Sequence, residues 1–154
     1  MGRGLNWRTE EGTQRALLRL TRAANAVRDA YPLIGWGGCA IFAKVAYDIT
    51  SLPPAGVFDS GASATCAPLE VGLPRGCGPV HVVVGLPTGD FYDSFGVIAE
   101  EQLLEEFTAE VPPLGKWYVE MSHYPRLFPW VVAMCESWRK EEKQIRQVFI
   151  AGLK

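Results

Sequence analysis

Between Val80 and Phe95 the chain carries its most constraining pattern. Val80-His81-Val82-Val83-Val84-Gly85-Leu86 is β-branched and apolar, Pro87-Thr88-Gly89 has turn chemistry, and Asp90-Phe91-Tyr92-Asp93-Ser94-Phe95 returns as a second strand. The loop length decides which side chains meet. A three-residue loop over 87–89, with Gly89 left-handed, pairs Leu86 with Asp90 and therefore Val83 with Asp93. Residues two apart along a strand share a face, as do directly opposed residues. His81 and Asp93 then become same-face diagonal neighbours, about 7–8 Å apart at Cα and within side-chain reach. A four-residue loop sends them to opposite faces.

A second stretch supplies a thiol. Trp36-Gly37-Gly38-Cys39-Ala40-Ile41-Phe42-Ala43 runs two glycines into a cysteine that opens a helix. The glycines let the backbone turn tightly and approach a substrate with no Cβ in the way. Cys39 then stands on the first helical turn, where unpaired amides and the positive end of the dipole favour a thiolate.

The remaining elements follow from periodicity and punctuation. Thr9 before Glu10 and Glu11 is a helix start, and Ala16, Leu17, Leu20, Ala23, Ala24 and Val27 recur at helical spacing as far as Ala30, short of Pro32. Arg15, Arg19, Arg22 and Arg28 read as a solvated face. The Cys39 helix runs to about Ile49, apolar on most sides and hence buried. Residues 55–79 read mostly as a long loop bordering a cleft, with short strands conceivable at Val57-Phe58 and Leu69-Glu70-Val71. Gly96 closes the hairpin strand, and Glu100 to Phe107 is a short acidic helix with Leu103, Leu104 and Phe107 inward. Lys116 to Met121 is a third strand, and His123 to Phe128 a connector. Pro129 opens a long final helix with one face marked by Trp130, Met134, Trp138, Ile145 and Phe149, and Gly152 as its cap.

Composition bounds the class. With 154 residues, 48% hydrophobic and 21% charged, the chain reads as one globular domain, residues 1–154, able to bury a core without staples. A formal net charge of −2 argues against nucleic acid as a partner. No run approaches the roughly twenty apolar residues that span a bilayer. The N-terminal residues carry charge instead of an apolar run, so no signal peptide is expected, and the expected location is cytoplasmic, away from membranes. Cys39, Cys66, Cys77 and Cys135 are irregularly spaced and read as free thiols.

Cysteine nucleophiles need a base or cation to hold the thiolate and a third group to orient that base. Gly37-Gly38-Cys39, then His81-Val82-Val83-Val84, then Phe91-Tyr92-Asp93-Ser94-Phe95-Gly96 resembles the pattern of the transglutaminase-like and arylamine N-acetyltransferase branch of papain-fold cysteine enzymes. In that branch a glycine-rich turn leads into the nucleophile helix, the histidine lies on a strand, and the aspartate follows on the adjacent strand. The resemblance spans roughly Ile34 to Val97. It implies an α+β, papain-like core with helices packed on a small antiparallel sheet. Cys39 is then the nucleophile, His81 the general base and acid, and Asp93 the orienting carboxylate. No Gln stands a turn before Cys39, so the oxyanion hole is expected from the Cys39 amide and a second donor. Trp36, Gly38, Asn6 and Gln14 are the candidates for substrate or oxyanion contact.

The expected activity is a cysteine-dependent hydrolase or acyl transferase acting on a peptide, isopeptide or side-chain amide through a Cys39 thioester, without a cofactor. The expected partner is a protein or peptide substrate. Two other readings use the same residues. One is a catalytically silent protein-binding module of the same fold, with Tyr118, His123, Tyr124 and Trp130 as an aromatic patch. The other is a structural zinc site drawn from Cys66, Cys77 and His81 with Cys39 or Cys135, although paired C-x₂₋₄-C spacing is absent. His123 is the rival base and lacks a comparable carboxylate context.

Overall fold

The structure, a computed structural model, describes residues 4–63, 79–120 and 134–154. It is α+β. Helix α1 (Glu10–Ala30) is followed by α2 (Cys39–Thr50), strand β1 (Pro54–Asp59) and a four-residue helix α3 (Ser60–Ser63). Then come β2 (His81–Gly85), β3 (Phe91–Asp93), β4 (Gly96–Ile98), α4 (Glu100–Glu110), β5 (Trp117–Glu120), a 3₁₀ turn over Glu136–Trp138, and α5 (Glu142–Leu153). The five strands form one antiparallel sheet in the order β4-β3-β2-β1-β5.

The alternation along each strand sends two sets of side chains to two cores. Val82, Val84, Tyr92 and Phe58 face the layer of α1, α2 and α5, where they meet Leu20, Phe42 and Phe149. Ala55, Val57, Val83 and Phe91 face the other way, towards Leu103 of α4 and Trp117. Tyr92 joins the sheet to α1. Its buried hydroxyl donates to the Leu20 carbonyl and accepts from the Ala24 amide, entering the helix ladder between them.

Helix starts and stops follow the expected chemistry. Thr9 Oγ1 accepts the Gly12 amide at 2.9 Å and caps α1. Ser51, left-handed at φ 62°, ends α2. The hairpin turns through 87–89: Leu86 N–H donates to the Asp90 carbonyl at 2.9 Å, Gly89 has φ +89°, and Val84 opposes Tyr92. This is the three-residue register, so Asp93 falls opposite Val83.

Several expectations need correction. Residues 55–59, expected mostly as loop with a short strand left open at Val57-Phe58, form with Pro54 the six-residue strand β1, which lies between β2 and β5 and is buried along its whole length. Pro54 hides the strand in sequence, yet as the first strand residue it costs no ladder bond. Gly96 does not close the hairpin strand; at φ +115° it turns the chain into the edge strand β4. The final helix is not continuous over its described part, because the 3₁₀ turn at Glu136–Trp138 separates Met134 from α5. Gly152 is not a cap. It lies inside α5, where an added Cβ would stand 2.7 Å from Ala23 Cα, so its missing side chain permits the close crossing of α1 and α5. The arginine face is only partly solvated, since Arg19 Nε donates to Leu153 O at 2.7 Å and Arg28 reaches the sheet. Leu69 to Val71, Cys66, Cys77, His123, Tyr124, Pro129 and Trp130 lie outside the described residues.

Candidate active site

Each of the three site residues is delivered by a different local rule. Cys39 is the first residue of α2, and the glycines before it serve two separate needs. Gly37 has φ +88°, a backbone state that side-chain-bearing residues rarely adopt. Gly38 has no room: a Cβ there would lie 2.5 Å from Ile34 O and 2.8 Å from Ile34 Cγ1. Gly38 thus permits a close approach to the chain's own backbone at Ile34.

His81 opens β2 and Asp93 ends β3, both on the α4 face of the sheet. His81 Nε2 lies 2.9 Å from Asp93 Oδ2. A carboxylate can only accept, so Nε2 carries the proton and Nδ1 is left for the sulfur. The other Asp93 oxygen, Oδ1, accepts the Phe95 amide at 2.8 Å, which fixes the carboxylate and the turn together. Behind the imidazole, the Phe107 ring of α4 sits 5.5 Å away, centroid to centroid.

Cys39 approaches from the opposite core, and it can do so because β3 is short. Gly85 N–H donates to Pro53 O, just before β1, and Leu86 N–H to Asp90 O, so even-numbered amides of β2 face β3. At Val82 the partner strand has already ended, as Asp93 is the last residue of β3. The Val82 amide is thereby left without a strand partner on that side, and together with the Ala40 amide and the His81 side chain it acts on Cys39 to lower the thiol's pKa. The thiol takes a ladder position that the sheet has vacated. It is 6% exposed.

The electrostatics follow from these contacts. Burial alone would push the Cys39 thiol up, but the hydrogen bond and charge of His81, with the Val82 and Ala40 amides, outweigh it and the thiol falls below its ordinary value. Burial would likewise lower His81. The hydrogen bonds to Asp93 and Cys39 and their negative charge reverse that and raise it to about 9. The direction of both shifts favours a thiolate–imidazolium pair over the neutral thiol and imidazole.

A latch holds the nucleophile loop against the Asp93 turn. The Phe95 ring lies over Gly35 so closely that a Cβ there would overlap it. The Arg28 guanidinium sits 5.8 Å from the Phe95 centroid, and its Nη1 donates to Ser94 O at 2.8 Å. Beside this latch opens a groove of about 640 Å³. Gly35 and Trp36 form part of one wall, His81 and Asp93 border it, and α4 forms another wall.

The structure brings together Cys39, His81 and Asp93, with Gly38 and Trp36 alongside. It does not bring Asn6 or Gln14. Asn6 Oδ1 accepts the Arg8 amide at 3.0 Å, and its side chain lies against Gly12 at the start of α1. Gln14 is exposed on α1, about 21 Å along the axis from Arg28, the residue that meets the Asp93 turn. The Val82 amide and the latch escaped the sequence reading. Only the shortness of β3 exposes the Val82 amide, and no composition signal marks where β3 ends. Of the zinc alternative, Cys66 and Cys77 are outside the described residues. Among the described residues no group of three His, Cys, Asp or Glu side chains is placed to hold a metal ion, and no helix is long and apolar enough to cross a membrane.

The chain matches no family model, and neither the curated proteins nor the solved structures include a similar chain by comparison.

Proposed function

We propose that the protein is a cysteine-dependent hydrolase or acyl transferase, working on a peptide, isopeptide or side-chain amide through a thioester on Cys39. The fold would be papain-like, of the transglutaminase-like and arylamine N-acetyltransferase-like kind. One observation carries the reading: a helix-start thiol whose pKa His81 lowers, and a strand imidazole whose Nε2 lies 2.9 Å from the carboxylate of Asp93 on the next strand.

The chemistry follows from that series. The Cys39 thiolate attacks the carbonyl carbon, and a C–S bond forms as the carbonyl π pair moves to oxygen. The Cys39 N–H, one of the four amides with no partner inside α2, faces that developing charge. His81 gives its proton to the leaving nitrogen, the C–N bond breaks, and the amine departs from a thioester. Water or an acceptor amine then gives a proton to His81 and attacks the thioester carbon, and the C–S bond breaks to restore the pair. Asp93 holds Nε2 throughout, so that Nδ1 stays aimed at sulfur.

Iodoacetamide labelling across pH, with the adduct located by mass spectrometry, tests this. The expected result is fast alkylation of Cys39 near neutral pH, slowed at least tenfold by His81→Ala. Alkylation of Cys39 at the rate of an ordinary thiol, with a pKa of about 8.5, overturns the enzyme reading and favours a silent binding module.

A further inference from the structure

We infer that the groove beside His81 and Asp93 selects a peptide carrying a lysine or arginine next to an apolar residue. This rests on the reading of Cys39 as the nucleophile: the groove is lined by its partners His81 and Asp93, and the thiol lies behind them. At about 640 Å³ the groove has the volume of a ligand pocket. Its lining divides into two chemistries. Trp36, 80% exposed, and Phe95, 61% exposed, line it, and such large exposed apolar side chains around one groove mark a binding surface.

The other chemistry is acidic. Gln102, Glu106 and Glu110 recur every fourth residue of α4, so they form one row along the groove. Gln102 Nε2 donates to Glu106 Oε1 at 3.3 Å and orients that carboxylate. Among the described residues that line the groove there is no lysine or arginine. Arg28 is turned away, committed to the Phe95 face and to Ser94 O. A basic side chain laid along Glu106 and Glu110 would therefore meet two carboxylates with no competing cation from the described lining, while its apolar neighbour meets Trp36 or Phe95.

The groove also favours an extended chain over a small amine. Gly96, Val97 and Ile98 line it, and these residues are β4, the edge strand of the sheet. An edge strand presents backbone donors and acceptors that an extended peptide can use.

The test uses iodoacetyl peptides of sequence Phe-Lys, Phe-Gln and Phe-Glu as amides, with the iodoacetyl group placed at either end. The second-order rate of Cys39 alkylation is measured for each. In at least one orientation the Lys peptide is expected to react about fivefold faster than the Gln peptide, and the Glu peptide more slowly than both, in keeping with two partly screened ion pairs. The Glu106→Gln/Glu110→Gln double variant is expected to bring the Lys-to-Gln ratio below about twofold. Only the ratio within each protein is read, so a change in thiol reactivity cancels. A Lys-to-Gln ratio below twofold in both orientations, or one that survives the double variant, overturns the inference. Plain iodoacetamide, which carries no charge, reports separately on the nucleophile.

Discussion

Burial alone raises the pKa of a thiol, and Cys135 behaves accordingly, pushed up to about 11 despite the nearby charge of Lys44. Cys39 is equally buried and goes the other way, because His81 and two backbone amides attend its sulfur. The contrast makes a prediction: peptide mapping after brief alkylation at pH 7 finds Cys39 modified and Cys135 unmodified. The pH profile of turnover carries a second one. His81 is raised, so it stays protonated until about pH 9, and above that it can no longer protonate the leaving nitrogen. Turnover of an amide substrate is therefore expected to fall above pH 9, while iodoacetamide alkylation, which needs only the thiolate, does not. Asp93→Asn removes the charge that helps to raise His81. It is expected to move that alkaline limb to lower pH and to reduce kcat about 100-fold or more. A limb that stays in place would remove Asp93 from the orienting role. At this scale the sequence was most legible. His81 and Asp93 announce themselves through a loop length, since Gly89 at φ +89° leaves one register for the hairpin. Asn6 and Gln14 lie near the start of α1, away from Arg28; residue type alone does not say which end of α1 faces the site.

Among the elements, the junction of α1, the nucleophile loop and the β3–β4 turn has the most to lose from a single change. Arg28 spans it, with a charged hydrogen bond to Ser94 O and a face-on contact with Phe95. A half-buried charged hydrogen bond contributes about 1–2 kcal/mol. Arg28→Ala is expected to lower stability by about that amount in chemical denaturation. It is also expected to lower kcat more than it raises KM, because the turn it releases carries Asp93. Arg28→Lys keeps the charge but not the planar contact and is expected to recover only part of the loss. A stability loss with unchanged kcat would make the latch purely structural. Sequence periodicity gave α1, α2 and α4 nearly to their ends, since each has one apolar stripe or an apolar surface all round. It gave no hint of the latch, because an arginine in the last turn of a helix looks the same whether it meets solvent or a carbonyl 66 residues away.

At the level of the whole molecule, two cores on either side of one sheet fix where the site can form. The α1–α5 crossing closes the larger core, and Gly152 sets its spacing against Ala23. Replacing a helix-interior glycine by alanine ordinarily gains up to about 1 kcal/mol in propensity. Here a Cβ would press on backbone at 2.7 Å, and overpacking of that kind costs about 1–3 kcal/mol. The clash wins, so Gly152→Ala is expected to lower the denaturation midpoint; a raised midpoint would contradict the crossing described here. The sheet itself was only half legible. Strand β2 is a run of valines, whereas β1 begins at Pro54 and contains Gly56, two loop signals in a strand that burial on both faces nonetheless holds in place. The sheet order, which puts that unpromising segment between β2 and β5, depends on long-range pairing that no local pattern encodes.

The proposed chemistry requires a charged imidazole beside a thiolate. The chain has only two histidines, so the His81 ring can be followed by NMR as pH is varied, with His81→Gln giving the assignment. The prediction is a His81 midpoint near 9 that drops by at least one unit in Cys39→Ser, where no thiolate faces the ring. A His81 midpoint near the ordinary value of about 6.5, unmoved by Cys39→Ser, would contradict it.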